Sequence, residues 1–212
     1  MTTPPGGPAQ LSFPLELPPG AREDQFLVSP SNAQAVQYLD NWGLWPLPVA
    51  ILTGPRKSGR TLLARMFAGR SGGMIADDAE LASETDLFHA WNQAQAEGRP
   101  LLIVADATPP VWRIALPDLR SRIAATPVVR LDAPDELLIE TLLQHLFDRK
   151  ELTAAPDLVR WLARRVDRSH LAVLRVVEAL EEDAMSRSTR QLTVPAVRAA
   201  LGRTSLITDP AA

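Results

Sequence analysis

The sequence predicts an α/β protein: a parallel sheet of about four strands flanked by helices, followed by an all-α lid. Three observations carry that prediction. Short, wholly apolar runs bounded by proline or glycine, such as Val49-Ala50-Ile51-Leu52 and Leu101 to Ala105, read as strands buried on both faces. Stretches of helical spacing separate these runs. Beyond Pro134 the strand signals stop and helical spacing alone remains, so alternation gives way to helices.

Composition limits the remaining classes. The chain has 212 residues, 46% apolar and 22% charged, enough for one domain with a small satellite. The absence of cysteine excludes a disulfide framework and thiolate zinc sites. With 22 basic against 25 acidic residues and a net charge of −3, the chain does not read as a nucleic-acid binder that relies on bulk charge. No apolar run approaches the roughly 18–20 residues that cross a bilayer. The opening MTTPPGGPAQ lacks the charged start and apolar stretch of a secretory signal, so a cytoplasmic location without a membrane partner is expected.

Taken in order, residues 1–22 are expected to form an extended tail, because prolines 4, 5, 8, 14, 18 and 19 remove donors and disfavour helix. An island, Gln10-Leu11-Ser12-Phe13-Pro14-Leu15, places large apolar residues in that tail with no core of their own. A folded unit is expected over 23–133, its order beginning near Phe26. Ser31 is the expected cap of a helix carrying Ala35, Val36, Leu39 and Trp42, which Pro46 and Pro48 stop. A strand at 49–52, a glycine-bearing loop and a helix from Thr61 to Ala68 follow. Met74-Ile75-Ala76 is a short strand ending at Asp77-Asp78. Ser83 opens a helix with Leu87, Phe88, Trp91 and Ala94 inward, and Gly98 stops it. After the strand at 101–105, Pro109-Pro110 breaks the chain and Val128 to Leu131 form a further strand. The lid spans 134–203, with helices near 134–149, 157–166, 170–186 and 194–201. Pro134 and Pro156 occupy first turns, and Ser169 and Thr193 cap. Residues 204–212 are expected to be a flexible terminus.

Gly54-Pro55-Arg56-Lys57-Ser58-Gly59-Arg60-Thr61 follows the pattern G-x-x-x-x-G-K-[ST] at every fixed position but one. Glycines let backbone amides wrap a phosphate, a helix N-terminus adds its positive end, and Thr61 offers a hydroxyl to Mg²⁺. The departure is Arg60, whose planar fork cannot occupy the space of an ammonium group. Nucleotide binding is expected to survive and γ-phosphate chemistry to be weak. Lys57 precedes the second glycine and is expected to point away. Asp77 and Asp78 close a strand, where a phosphate-loop enzyme places an acid for Mg²⁺ and a second that orients water.

These residues together resemble the AAA+ ATPases of the bacterial replication initiator family, DnaA and its relatives, and within it the Hda-type regulatory branch. The resemblance covers roughly residues 10–201. It rests on the order of several features: the phosphate loop with Arg60, Asp77-Asp78, the strand Leu101 to Asp106 followed by Pro109-Pro110, then Leu116-Pro117-Asp118-Leu119-Arg120-Ser121-Arg122 and an arginine-rich lid. It implies ADP or ATP with Mg²⁺ as cofactors, Asp106 as a sensor on the nucleotide side, and Arg122 as an arginine finger given to a neighbouring subunit. It implies that Gln10 to Leu15 is a DNA polymerase sliding-clamp motif, Gln10 bonding at a pocket rim while Leu11, Phe13 and Leu15 fill an apolar groove. The clamp and the DnaA initiator are then the implied partners, without sequence-specific DNA contacts, and self-association is left open.

Two departures from the family stand out. Only about fifteen residues separate Thr61 from Asp77, where AAA+ domains have room for a further strand and helix. Four strands are therefore expected, with 127–131 beside 49–52, then 101–105, then 74–76 at the edge. The lid's sensor arginine should follow the Arg168-Ser169 turn, yet His170-Leu171-Ala172 stand there, leaving Arg168 or Arg175 as replacements. The reading that emerges is a negative regulator of replication initiation, acting on initiator-bound ATP in trans. The alternatives are an independent ATPase or clamp-loader-like motor, and an adaptor that no longer binds nucleotide. His89, His145 and His170 show no ligand spacing, and the five tryptophans read as packing residues.

Overall fold

The computed structural model describes residues 26–202 together with 204, 206 and 207, so the tail island at 10–15 lies outside the described residues. Four strands, β1 (Val49–Thr53), β2 (Met74–Ala76), β3 (Leu101–Val104) and β4 (Val128–Arg130), form one parallel sheet in the order β2-β3-β1-β4. This is the order expected from the short connection after Thr61. Alternation along the strands sorts the core into two layers. Ala50, Leu52, Leu102, Val104 and Val129 pack against α1 (Pro30–Asp40) and α2 (Arg60–Ser71). Val49, Ile51, Leu101 and Ile103 pack against α3 (Glu84–Glu97) and α4 (Pro117–Ala125). β1 and β3 are buried over their whole length, which explains their continuous apolar runs.

The ends of these elements follow local chemistry, with some corrections. Ser29, not Ser31, caps α1: its hydroxyl accepts from the Ser31 amide while the Asn32 side chain accepts from the Ser29 amide, and Pro30 takes the first turn. Trp42 falls outside α1, in a 3₁₀ turn over Trp42–Leu44, and is partly exposed rather than inward. Trp45 instead folds back, donating to the Tyr38 carbonyl and stacking on Phe67 at 5.3 Å. Ser83 and Gly98 bound α3 as expected, Gly98 in the left-handed conformation that favours glycine.

The lid packs α5 (Glu136–Arg149), α6 (Pro156–Ala163), α7 (His170–Ser186) and α8 (Val194–Leu201) around Leu143, Phe147, Leu162, Val176 and Leu180. It is not wholly helical. β5 (Thr153–Ala154) and β6 (Gln191–Leu192) form a two-stranded parallel ribbon that the helical spacing conceals, because two residues are too few to show a period. Pro134 precedes α5 rather than entering it, since Asp135 is the cap. α6 ends at Ala163, three residues before the expected 166. Thr193 holds the cap position of α8 without a side-chain bond. The chain beyond 203 does not leave the lid at once: Leu206 and Ile207 pack on the lid core, and Ile207 bridges Val166. Their apolar side chains lose water only by staying there.

Asp135 also ties the two units together. One carboxylate oxygen accepts from the Leu138 amide at the start of α5, and the other from the Ser31 amide at the start of α1.

Candidate functional site

All four strands run the same way, so their C-terminal ends share one edge, and β1 sits between β3 and β4 where the chain order reverses. Open α/β sheets bind ligands at such a point. The loop from Gly54 to Gly59 leaves β1 there. Gly54 passes so close to β4 that a Cβ would meet Leu131 Cβ at 2.8 Å. Gly59 is left-handed at φ 84°, caps α2 without a side chain, and lies under Phe26, whose ring a Cβ would meet at 3.1 Å. Lys57 is also left-handed at φ 65° and exposed, as are the neighbouring Arg56 and the two acids Asp77 and Asp78. Ser58 is buried and its hydroxyl has no partner among the described residues. An α2 N-terminus without a side-chain cap, beside a buried spare hydroxyl, fits a phosphate.

Arg60 is the first residue of α2, and its guanidinium does not extend over the loop. It donates to the Ala105 carbonyl and forms an ion pair with Asp106, at the end of β3. The loop cation and the sensor acid implied by the resemblance are therefore brought together, each holding the other. Glu80 completes this corner, accepting from the backbone amides of Asp106 and of Ala107. It escaped sequence reading because it follows the Asp77-Asp78 pair at no motif position; an acid four residues beyond the end of β2 was the available signal.

Asp77 follows β2, which lies beyond β3 at the sheet edge, and accepts from the Asp78 amide at 3.1 Å. Asp78 is left-handed at φ 47°, and the Ala79 amide donates to the Val104 carbonyl, fixing this turn against β3. Thr61 is half-buried in the first turn of α2. Among the described residues no cluster of three or more histidine or acidic side chains is placed to hold a metal ion.

Arg122 lies on α4, away from the loop. Its guanidinium sits 4.7 Å from the Phe88 ring centre and 4.5 Å from that of Trp91, both on α3. That guanidinium makes no ion pair or hydrogen bond with a described residue. In the lid, Arg168 and Arg175 are both exposed, Arg168 just before α7 and Arg175 within it. His170 opens α7 half-buried, and burial lowers its pKa below the ordinary histidine value.

No protein-family model matches the chain. An uncharacterized protein of Haemophilus influenzae is 28% identical over 124 residues, covering 58% of this chain, and the chain spans about half the length of that relative. Solved structures give broader coverage. Domain III of the Thermotoga maritima replication initiation protein DnaA superposes with a TM-score of 0.67 at 15% identity, over 84% of this chain and 93% of that one. The Thermotoga maritima RuvB Holliday junction branch migration motor gives a TM-score of 0.60 at 14% identity, over 81% of this chain and 67% of its own. DnaA bound to AMPPCP and single-stranded DNA gives 0.56 at 15%, over 77% and 66%. The phosphate loop, the four-stranded parallel sheet and the following helical unit thus make up an AAA+ fold, the one built in DnaA and RuvB.

Proposed function

We propose that this protein is an Hda-type negative regulator of replication initiation. The tail segment Gln10 to Leu15 docks on the DNA polymerase sliding clamp, the AAA+ domain binds ADP or ATP, and Arg122 enters the hydrolytic site of the DnaA initiator. The observation that carries this reading is the contrast between two arginines. Arg60 is already committed to Asp106 and the Ala105 carbonyl, while Arg122 keeps its N–H donors unspent. A domain whose own loop cation is engaged suits a protein that holds nucleotide and acts on its partner's. A guanidinium delivered in trans neutralises charge on the transferring phosphoryl group, worth about 10³–10⁵ in rate in well-studied systems.

Within this reading the backbone amides of residues 54–61 other than Pro55 hold the phosphates, Thr61 and Asp77 serve Mg²⁺, Asp78 orients water, and Arg168 or Arg175 reaches the nucleotide from the lid. Mg²⁺ held there would supply neutralisation of phosphate charge. The decisive experiment mixes the full chain with DNA-loaded clamp and ATP-bound initiator and follows ATP hydrolysis. Arg122→Ala is expected to abolish the stimulation, and Gln10→Ala with Leu11→Ala to remove clamp capture; stimulation that survives Arg122→Ala sinks the reading.

One observation favours a second reading, an adaptor without nucleotide: the Arg60–Asp106 pair satisfies the loop cation internally. Absence of any thermal shift with ADP or ATP would favour it.

A further inference from the structure

We infer that a stripe on α3, Glu84, Phe88 and Trp91, is a positioning device that holds Arg122 ready for its partner; this rests on the role proposed above for Arg122. The three residues stand at helical spacing on one face of α3. Glu84 takes the start of α4, its carboxylate accepting from the Ala115 amide at 2.8 Å and the Leu116 amide at 2.6 Å. Trp91 takes the end, its indole N–H donating to Thr126 Oγ1 at 3.2 Å, while the Thr126 hydroxyl donates to the Arg122 carbonyl at 2.8 Å. Between these two ties, the Phe88 and Trp91 rings receive the guanidinium.

The physical consequence lies in what contact with the rings leaves free. An arginine side chain carries much rotamer entropy, which a finger working from solution would lose on engaging its target. Ring faces restrict that motion beforehand and use none of the five in-plane N–H donors. A carboxylate partner would restrict it equally but would consume the donors and cancel the charge. No carboxylate pairs with Arg122 among the described residues, and the one acid of the stripe, Glu84, is spent on backbone amides. Arg122 is therefore ordered, cationic and half-exposed at once, which is the state a phosphoryl-binding arginine needs.

The test uses the full-length protein with DNA-loaded clamp and ATP-bound initiator, titrated to saturation. Phe88→Leu keeps apolar volume and removes the ring; it is expected to lower maximal stimulation about fivefold or more while half-saturation stays within about twofold. Phe88→Tyr restores the ring face and is expected to match the unaltered protein. In ¹⁵N-arginine-labelled unaltered protein without partners, the Arg122 side-chain resonance is expected to be shifted upfield by the rings. Undiminished stimulation by Phe88→Leu, or an unshifted Arg122 resonance, overturns the positioning role while leaving the finger intact. Stimulation that survives Arg122→Ala overturns the finger itself. The resonance measurement needs no variant to fold.

Discussion

At the residue scale, Arg60 and Asp106 join the first turn of α2 to the end of β3 beside the glycine-bearing loop. The Asp106 side chain is 56% exposed, so solvent screens the pair and its loss costs only about 0.5–1 kcal/mol. Asp106→Asn is therefore expected to lower the unfolding midpoint slightly and to strengthen binding of a fluorescent ADP analogue, since Arg60 becomes available to phosphate. Weaker binding by the variant would mean that Asp106 assists the nucleotide directly. His170 supplies a pH dependence. Burial depresses its pKa, so between the ordinary value of about 6.5 and the lower folded value the unfolded chain binds more protons. Its contribution is complete above that ordinary value and is lost as pH falls through the folded pKa. Thermal melts between pH 7 and 5 are expected to fall less steeply in His170→Leu.

At the element scale, the connections between helices matter more than the helices themselves. Asp135 caps α5 and receives the first turn of α1 with its second oxygen. Asp135→Ala removes a cap worth about 1 kcal/mol and a further bond of similar size, so urea unfolding should show a loss of about 2 kcal/mol. Asp135→Asn, which retains an acceptor, is expected to lose less. Glu84 plays the corresponding part for α4. Its pKa is held below the ordinary carboxylate value, first by the Ala115 amide and next by that of Leu116. Its contribution is present above the unfolded carboxylate pKa and disappears as pH falls through the depressed folded value.

At the scale of the whole molecule, the sheet and lid share the fold of initiator domain III, with a TM-score of 0.67 over 84% of this chain. β2 closes one side of the sheet and pairs only with β3, so the short connection after Thr61 leads to the sheet edge and leaves the β1 loop at the centre. If the loop binds nucleotide, ADP at 100 times its Kd is expected to stabilise the fold by about 2.7 kcal/mol, read as a concentration-dependent rise in Tm. Gly54→Ala is expected to reduce both Tm and that rise. The added methyl would enter the space of Leu131, and overpacking of this kind costs about 1–3 kcal/mol.

Sequence by itself determined the sheet, its order, the glycine-bearing loop after β1 and the lid helices, because each rests on local pattern: apolar runs, caps, glycines and connection length. Ser83, Gly98 and Ser169 act where their chemistry places them. Tertiary structure alone decided the partners of charged side chains. Arg60 reads as a phosphate ligand from its position in the loop, yet it meets Asp106, 46 residues away. Glu80 and Glu84 carry no motif at all and still hold the backbone beside Asp106 and at the start of α4. Arg122 could be named from a short string, but its seat on Phe88 and Trp91 could not, because a long flexible cation takes whichever neighbour the fold brings within reach. Periodicity reports which face of an element is buried, and only the packing of elements reports what that face meets.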